Sequence, residues 1–569
     1  MKTSSVKTQT ADTSNFAISS NQLIVITCVY LSVVLNYPFL KRVFNAVLIE
    51  PEHSLLFMFT VPVLLTSLFV FINSILSLGK ALKPVLIITL MASSCIFYAT
   101  TTYGTVFDYS MVQNGFETDG AEAFSYINLY SVGFIFLFGV MPSLLVFNIK
   151  ITEQGFVNML IARARLVAIS TVVIGITSVF FYANYAAVGR NNSELQVYIT
   201  PYKFVDSALK YINRNYYSAP LAFKLLDRYP SLETTTTAPV VTVLVIGETA
   251  RAQSFSLNGY AKQTNLYTDK LDVLSFTDMA SCGTATAVSL PCMFSRLNRA
   301  EFEKREASYQ QNLLDIISLA GADVLWIDNN NGGCKGVCSR VNTISIETTP
   351  SNPLCDTEYC LDEALLQPLN EKLNNLTHPH ALIVLHMMGS HGPTYFKRYP
   401  KDKAVFTPDC PRSDIQHCSE EQLINTYDNT IAYTDFVLSQ IIGALQHLET
   451  KANAQTAMLY VSDHGESLGE KGMYLHGLPY AFAPSEQTHI PMLYWQAQSK
   501  TSEDMNCLKA LSTEFISHDN VFDIVMGITA VDSKVYQRQQ DTFANCRATD
   551  GLAAREQTET DIQASEAIN

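Results

Sequence analysis

The sequence predicts an α/β domain lying outside a membrane, preceded by an all-α membrane domain of five transmembrane helices. Three observations carry this. Long apolar stretches crowd into the first 190 of 569 residues. From Ala238 onward, short apolar runs alternate with helix-like segments. Hydrophobic residues make up 48% of the chain and charged residues only 16%, against about 25% charged in an average soluble protein. The mean hydropathy is +0.12. Composition therefore excludes a disordered chain, a collagen-like chain and a wholly soluble enzyme. The formal net charge of −14 lacks the basic footprint of a nucleic-acid binder.

The five apolar stretches run over 23–40, 55–78, 84–103, 127–149 and 166–187, and none holds a charged residue. Each is about 18–24 residues long, enough to cross a hydrocarbon core of roughly 30 Å as a helix. Orientation follows from the basic residues. With the N-terminus inside, Lys2, Lys7, Lys80, Lys83, Lys150, Arg163 and Arg165 all fall on the cytoplasmic side. The outer side keeps Lys41 and Arg42, and the second outer loop, 105–125, is acidic through Asp108, Glu117, Asp119 and Glu122. Five spans are an odd number, so everything after about residue 190 lies outside. The polar leader has no basic cluster and no small-residue cleavage site, so the first stretch reads as an uncleaved span.

The cysteines test this topology independently. Cys28 and Cys95 lie in spans, and the other ten lie in the exported part. Eight form close couples: Cys282 with Cys292, Cys334 with Cys338, Cys355 with Cys360, and Cys410 with Cys418. An even thiol count in an oxidising compartment reads as disulfides between sequence neighbours. A zinc-binding cysteine cluster is disfavoured, because no CxxC pair occurs. Cys507 and Cys546 are left with their pairing open. The expected organisation is a membrane domain over 1–190, a connector over 191–237, a catalytic domain over 238–546 and a disordered tail over 547–569. Within the connector, 205–216 reads as a helix at the membrane surface, with Phe204, Tyr211 and Tyr217 as interfacial aromatics. The stretch Thr234 to Thr237 reads as a loop.

Four apolar runs in the exported domain end in polar residues. Residues 240–246 lead to Gly247, Glu248 and Thr249, and 323–327 to the run Asp328 to Asn331 and Lys335. Residues 381–385 lead to His386 and His391, and 457–461 to Asp463, His464 and Glu466. Sites in open α/β sheets form outside the carboxyl ends of the strands, so four such clusters suggest one site. Glu248, Asp463 and His464 are ligands that suit zinc, with His391 and His476 in reach of the same cleft. Each residue taken alone also reads as a turn, a helix cap or a surface group. In 281–289 small residues allow a close backbone approach, and the segment would open a helix whose N-terminus favours phosphate. Thr284, Thr286 and Ser289 are all candidate nucleophiles there, since a metal activates a hydroxyl.

Longer motifs carry a resemblance. They are Gly247-Glu248-Thr249-Ala250-Arg251, Phe255-Ser256-Leu257-Asn258-Gly259-Tyr260, Ser281-Cys282-Gly283-Thr284-Ala285-Thr286, Pro291-Cys292-Met293-Phe294-Ser295, Gly389-Ser390-His391-Gly392-Pro393, Asn425-Thr426-Tyr427-Asp428-Asn429-Thr430, Ser462-Asp463-His464-Gly465-Glu466-Ser467 and Leu475-His476-Gly477-Leu478-Pro479-Tyr480. In this order they resemble the lipid A phosphoethanolamine transferases, which include the mobile colistin-resistance enzymes, over roughly residues 20–530.

The resemblance implies an alkaline-phosphatase/sulfatase-like exported domain on a bacterial inner membrane, facing the periplasm. It implies Thr286 as the nucleophile, modified by phosphoethanolamine in an intermediate. It assigns one zinc ion to Glu248, Thr286, Asp463 and His464, and allows a second at His391 and His476. Asn331, Lys335, His391, Glu466 and His476 would surround the phosphoethanolamine group. Asn114, Thr118 and Glu122 match positions of donor-lipid binding. The implied donor is phosphatidylethanolamine, the acceptor a lipid A phosphate, and the protein a monomer that gives resistance to polymyxins and cationic peptides. The alternatives are transfer to a lipopolysaccharide core sugar or to protein, and a membrane-anchored phosphohydrolase.

Overall fold

The computed structural model describes residues 17–49, 55–118, 120–152, 155–232, 238–349, 352–356, 358–498 and 503–547. Lys2, Lys7, Asp119, Thr234 to Thr237 and the tail from 548 onward lie outside the described residues. The chain divides into two compact units: Met1–Val112 with Ile127–Asn213, and Gln113–Tyr126 with Arg214–Asn569. The expected connector is divided at Asn213, and part of the second outer loop belongs to the larger unit.

In the first unit, four helices are long and apolar enough to cross a membrane: Leu55–Leu76, Gly79–Tyr103, Leu129–Asn148 and Phe156–Phe180. A fifth candidate is a bent pair, Ser20–Leu35 and Tyr37–Leu48, turned by 60°. The expected first span is therefore not straight. A π-helical turn over Leu31–Leu35 ends at Asn36, and such turns bend helices. The Asn36 amide donates to the Leu31 and Thr200 carbonyls at 2.8 and 2.9 Å, and its oxygen accepts from the Thr200 N–H at 2.9 Å.

The fifth span also begins earlier than expected, at Phe156 instead of 166, and ends at Phe180. Arg163 thus lies inside a helix. It is buried, and its guanidinium donates to Asn21 Oδ1 at 2.9 Å and to the Ser77 carbonyl at 3.2 Å. A charge at that depth is tolerated because it is paired with groups of neighbouring helices. The expected surface helix is Tyr202–Ile212. Tyr211 is buried instead of lying at an interface, while Tyr217 is exposed.

The larger unit is built on an eight-stranded sheet. Its strands are β1 (Val240–Gly247), β2 (Leu274–Ala280), β3 (Asp323–Asp328), β4 (Asn342–Ser345), β5 (His380–His386), β6 (Gln455–Ser462), β7 (His489–Gln496) and β8 (Ile516–Ser517). Their order is β8-β2-β7-β6-β1-β5-β3-β4. The run β6-β1-β5-β3-β4 is parallel, and β7 is antiparallel to both β6 and β2. Every residue of β1 and β5 is buried. Parallel strands covered on both faces need continuous apolar runs, which explains Val240 to Ile246 and Ala381 to Leu385. Leu244, Trp326, Val384 and Leu459 share one core cluster with Phe276 and Phe522.

The helix Glu420–Ala452 has 33 residues. A capping box of Ser419 and Gln422 starts it, and Asn453 in a left-handed conformation ends it. Both follow from local chemistry.

Five disulfides staple this unit. Four are the expected couples: Cys282 bonds to Cys292, Cys334 to Cys338, Cys355 to Cys360, and Cys410 to Cys418. The fifth joins Cys507 to Cys546, the two whose pairing the sequence leaves open. Cys28 and Cys95 are free. The Cys507–Cys546 bridge closes a separation of 39 residues, for which chain entropy gives about 4 kcal/mol. Replacing both with serine is expected to lower the unfolding free energy by up to that amount, read from the denaturant midpoint. An unchanged midpoint would show that the bridge restrains nothing in the unfolded chain.

Candidate active site

The carboxyl ends of β1, β3, β5 and β6 converge, as their parallel register requires. Gly247 pairs with Ser462, and Ile246 with His386. The residues that follow therefore meet. Glu248, Asp463 and His464 each offer a ligand atom, all within 4.8 Å of one another, and all three are buried. Thr286 opens the eight-residue helix Thr286–Met293 and is 8% exposed. Its Oγ1 lies 3.1 Å from each Glu248 carboxylate oxygen and 3.3 Å from His464 Nε2.

Of the three candidate hydroxyls, this one faces Glu248 and His464. Thr284 Oγ1 donates to the Leu478 carbonyl at 2.6 Å instead. Ser289 is fully buried one turn into the helix, and its hydroxyl has no hydrogen-bond partner among the described residues.

Backbone geometry holds the cluster. Thr249 takes a left-handed φ of 60°, a costly conformation for a β-branched residue. That turn lets its N–H reach Asp463 Oδ1 at 3.0 Å and its hydroxyl reach Glu248 Oε1 at 2.6 Å. Tyr427, in the long helix, donates to the Thr249 carbonyl at 2.7 Å and accepts from the Arg251 N–H at 3.0 Å. His464 Nδ1 is 2.9 Å from the Gly465 carbonyl. Its Nδ1–H is therefore spent there, and Nε2 faces the carboxylates, where a bound metal would displace its proton. His518 ties the loop before Thr286 to β6: Nδ1 accepts from the Cys282 N–H at 3.0 Å, and Nε2 lies 3.0 Å from the Ser462 carbonyl.

The electrostatics are those of a site short of positive charge. Burial resists ionisation of Glu248, yet the hydrogen bond and charge of His464 hold it well below the usual carboxylate range. Burial, with the neighbouring Glu248 charge, pushes Asp463 up to about 6. Burial would lower His464, but the Asp463 and Glu248 carboxylates hold it up at about 10. Asp463 Oδ2 is buried and lacks a well-formed hydrogen bond among the described residues. Two buried carboxylates, one with an unsatisfied oxygen, and an imidazole nitrogen match the donor set of a zinc site.

Around this centre, three imidazoles stand in a row. The His464 and His476 ring centroids are 4.5 Å apart, and those of His476 and His391 5.5 Å. Glu466 Oε2 lies 2.8 Å from His476 Nδ1, and Tyr395 donates to Oε1 of the same carboxylate. Burial pushes Glu466 up to about 8 and draws His476 down to about 3. One hydrogen bond between Oε2 and Nδ1 fixes the orientation of the His476 ring.

Asn331 donates to the Glu358 carbonyl at 3.1 Å. Its neighbour Asn330 has its amide 2.8 Å from Glu248 Oε2. Three consecutive asparagines leave β3 and diverge, Asn329 going to Asp362 at 2.7 Å. No periodic signal separates them in the sequence. Thr249 and Asn330 lie in the strand-end clusters without a role assigned to them, Tyr427 lies within a quoted motif, and no sequence signal singles out Tyr395 or His518.

Lys335, at φ 49°, donates to the Glu117 carbonyl at 3.0 Å. The expected acidic loop is not a solvated loop: it forms the helices Tyr109–Glu117 and Gly120–Ser125. Asn114 is half-buried, and the Thr118 hydroxyl donates to the Asn114 carbonyl at 2.8 Å. The side chain of Glu122 lies outside the described residues.

Comparison with known proteins agrees with this architecture. Residues 241–531 match the Sulfatase family, and residues 65–216 match the family described as Phosphoethanolamine transferase EptA/EptB. The chain is 38% identical to phosphoethanolamine transferase EptA of Escherichia coli (strain K12), over 92% of this chain and 96% of that protein. It is 37% identical to the Escherichia coli phosphatidylethanolamine transferase Mcr-1, over 84% and 90% of the two chains. The integral membrane lipooligosaccharide phosphoethanolamine transferase A of Neisseria meningitidis superimposes with a TM-score of 0.88 at 35% identity, covering 93% of this chain and 99% of that one. Two membrane-to-sheet architectures of one length, with a third of their residues in common, do not arise separately, and the chain belongs to the lipid A phosphoethanolamine transferase family.

Proposed function

We propose that the protein transfers phosphoethanolamine from phosphatidylethanolamine to a phosphate of lipid A, through a phospho-Thr286 intermediate. It would act at the periplasmic face of a bacterial inner membrane, as a monomer. The observation that carries this reading is the Thr286 hydroxyl, 3.1 Å from both oxygens of Glu248 and 3.3 Å from His464 Nε2 at a helix N-terminus. Glu248, Thr286, Asp463 and His464 would hold one zinc ion, with His391 and His476 available to a second. A zinc ion held by these residues would supply Lewis acidity, lowering the pKa of the threonine hydroxyl and polarising a phosphoryl oxygen.

The chain's own groups do the rest. Thr286 Oγ1, its proton released to solvent, attacks the donor phosphorus, and the bond from phosphorus to the diacylglycerol oxygen breaks. The N-terminus of helix Thr286–Met293 and the Lys335 ammonium face the negative charge of the transferred group. His391 gives a proton to the departing diacylglycerol. A lipid A phosphate oxygen then attacks phospho-Thr286, and the threonine oxygen leaves. The two half-reactions are ping-pong. The added ammonium lowers the negative charge of the outer surface and weakens binding of cationic peptides such as polymyxins.

Mass spectrometry of lipid A from cells expressing the wild type and Thr286→Ala tests this. A phosphoethanolamine increment is expected with the wild type and not with the variant. No increment in either moves the acceptor to core sugar or protein. An increment that survives the substitution removes Thr286 as nucleophile.

A further inference from the structure

Glu117 occupies a position that the reaction as described does not use. It ends the helix Tyr109–Glu117, whose residues Gln113 and Glu117 share one face at spacing i, i+4. Gln113 is buried, and its amide lies 3.4 Å from the carbonyl of Ala287, the residue after Thr286. The Glu117 carboxylate takes the Lys304 ammonium on both oxygens, at 2.7 and 2.6 Å. The Glu117 carbonyl takes Lys335 at 3.0 Å. The ion pair is sheltered, with side chains 26% and 22% exposed. Burial draws the Lys304 ammonium below its ordinary value, Glu117 opposes this, and the nearby Lys335 charge adds to the lowering. Two lysines thus lie within electrostatic reach of each other, and one glutamate engages both.

We infer that Glu117, paired with Lys304, is a positioning residue for the phosphate-bearing donor: its carboxylate fixes Lys304, and its carbonyl aims Lys335. This rests on the transferase reading above. An ammonium has three N–H donors. One is spent on the Glu117 carbonyl, which fixes the direction of the other two toward phosphate oxygens. Without the carboxylate, Lys304 becomes a second mobile cation beside Lys335 that can take the donor phosphate in a wrong position. The same pairing, with Gln113, locks the helix carrying Asn114 next to the nucleophile's own helix.

The test uses full-length protein in detergent micelles, with phosphatidylethanolamine as donor and purified lipid A as acceptor. Glu117→Gln and Lys304→Met are each expected to raise the donor KM by roughly five- to thirtyfold, the range of a sheltered charged hydrogen bond. The kcat is expected to stay within about twofold, since no reacting atom is touched. Lys304→Arg is expected to keep the wild-type KM, and the exchange Glu117→Lys with Lys304→Glu to recover most of what either single change loses. An unchanged KM in both single variants would overturn the inference. So would a loss in kcat alone, or an exchange no better than the single changes. A wild-type protein that transfers nothing overturns the functional reading itself, a result distinct from any of these.

Discussion

If Glu248 holds the proposed zinc ion, replacing it with glutamine is expected to abolish zinc binding and to cost at least about a thousandfold in transfer rate. The reason lies in the number of donors aimed at one carboxylate. Glu248 is 1% exposed and accepts from Thr286, Thr249 and Asn330, with His464 Nε2 3.4 Å away. Glutamine has the same shape but no charge, and its amide N–H₂ would face hydroxyl and amide donors. The lost charge leaves the His464 imidazole and Asp463 unbalanced in a buried pocket, where breaking one partner costs about 3–5 kcal/mol. Zinc content by elemental mass spectrometry and the initial transfer rate read the two effects separately. A variant that keeps both its metal and its rate would mean that Glu248 is only a structural cap.

Gly389→Ala is expected to be nearly as damaging, although no side chain is removed. Gly389 has φ 53°, and a Cβ there would stand 2.6 Å from the Glu248 carbonyl oxygen and 2.9 Å from its nitrogen. Both neighbours are backbone, so the strand end that carries Glu248 must move. The Gly389 N–H is fixed by Asp362 at 2.8 Å, and the Ser390 N–H by the Glu248 carbonyl at 2.9 Å. A misplacement near 1 Å at a reacting group costs about a hundredfold in rate. The expected result is that loss in transfer, together with a lower melting temperature. Gly259→Ala is the control: its φ is 92°, but nothing lies within 4 Å of a Cβ there. It should carry only the left-handed backbone cost of roughly 1–2 kcal/mol and keep its rate. Equal rate losses in the two variants would show that conformation, not the contact with Glu248, matters at Gly389.

What the chain announces about itself follows from the range of each signal. The apolar stretches, the sequence-neighbour cysteine couples and the strand ends at Glu248, Asp463 and His464 are local patterns. Each depends on a few residues and on a general rule, membrane thickness or the burial of parallel strands. Span limits were less legible. Arg163 reads as a cytoplasmic flank, yet Asn21 and Ser77, which make its burial tolerable, lie 142 and 86 residues away. The same holds for the bend at Asn36, whose partner Thr200 is 164 residues distant.

The site divides the same way. The membrane-plus-α/β architecture, the metal-ligating residue types and three candidate hydroxyls are readable along the chain, because composition, period and strand-end position are properties of short segments. Folding makes the remaining choices: Thr286 and not Thr284 faces Glu248, Asn330 and not Asn331 reaches it, Cys507 joins Cys546, and Glu117 meets Lys304 and Lys335. Those choices rest on side-chain direction and on contacts between residues far apart in the chain. The register of β1 against β5 and β6 and the turn of single loop residues set such contacts, and neither leaves a pattern along the sequence.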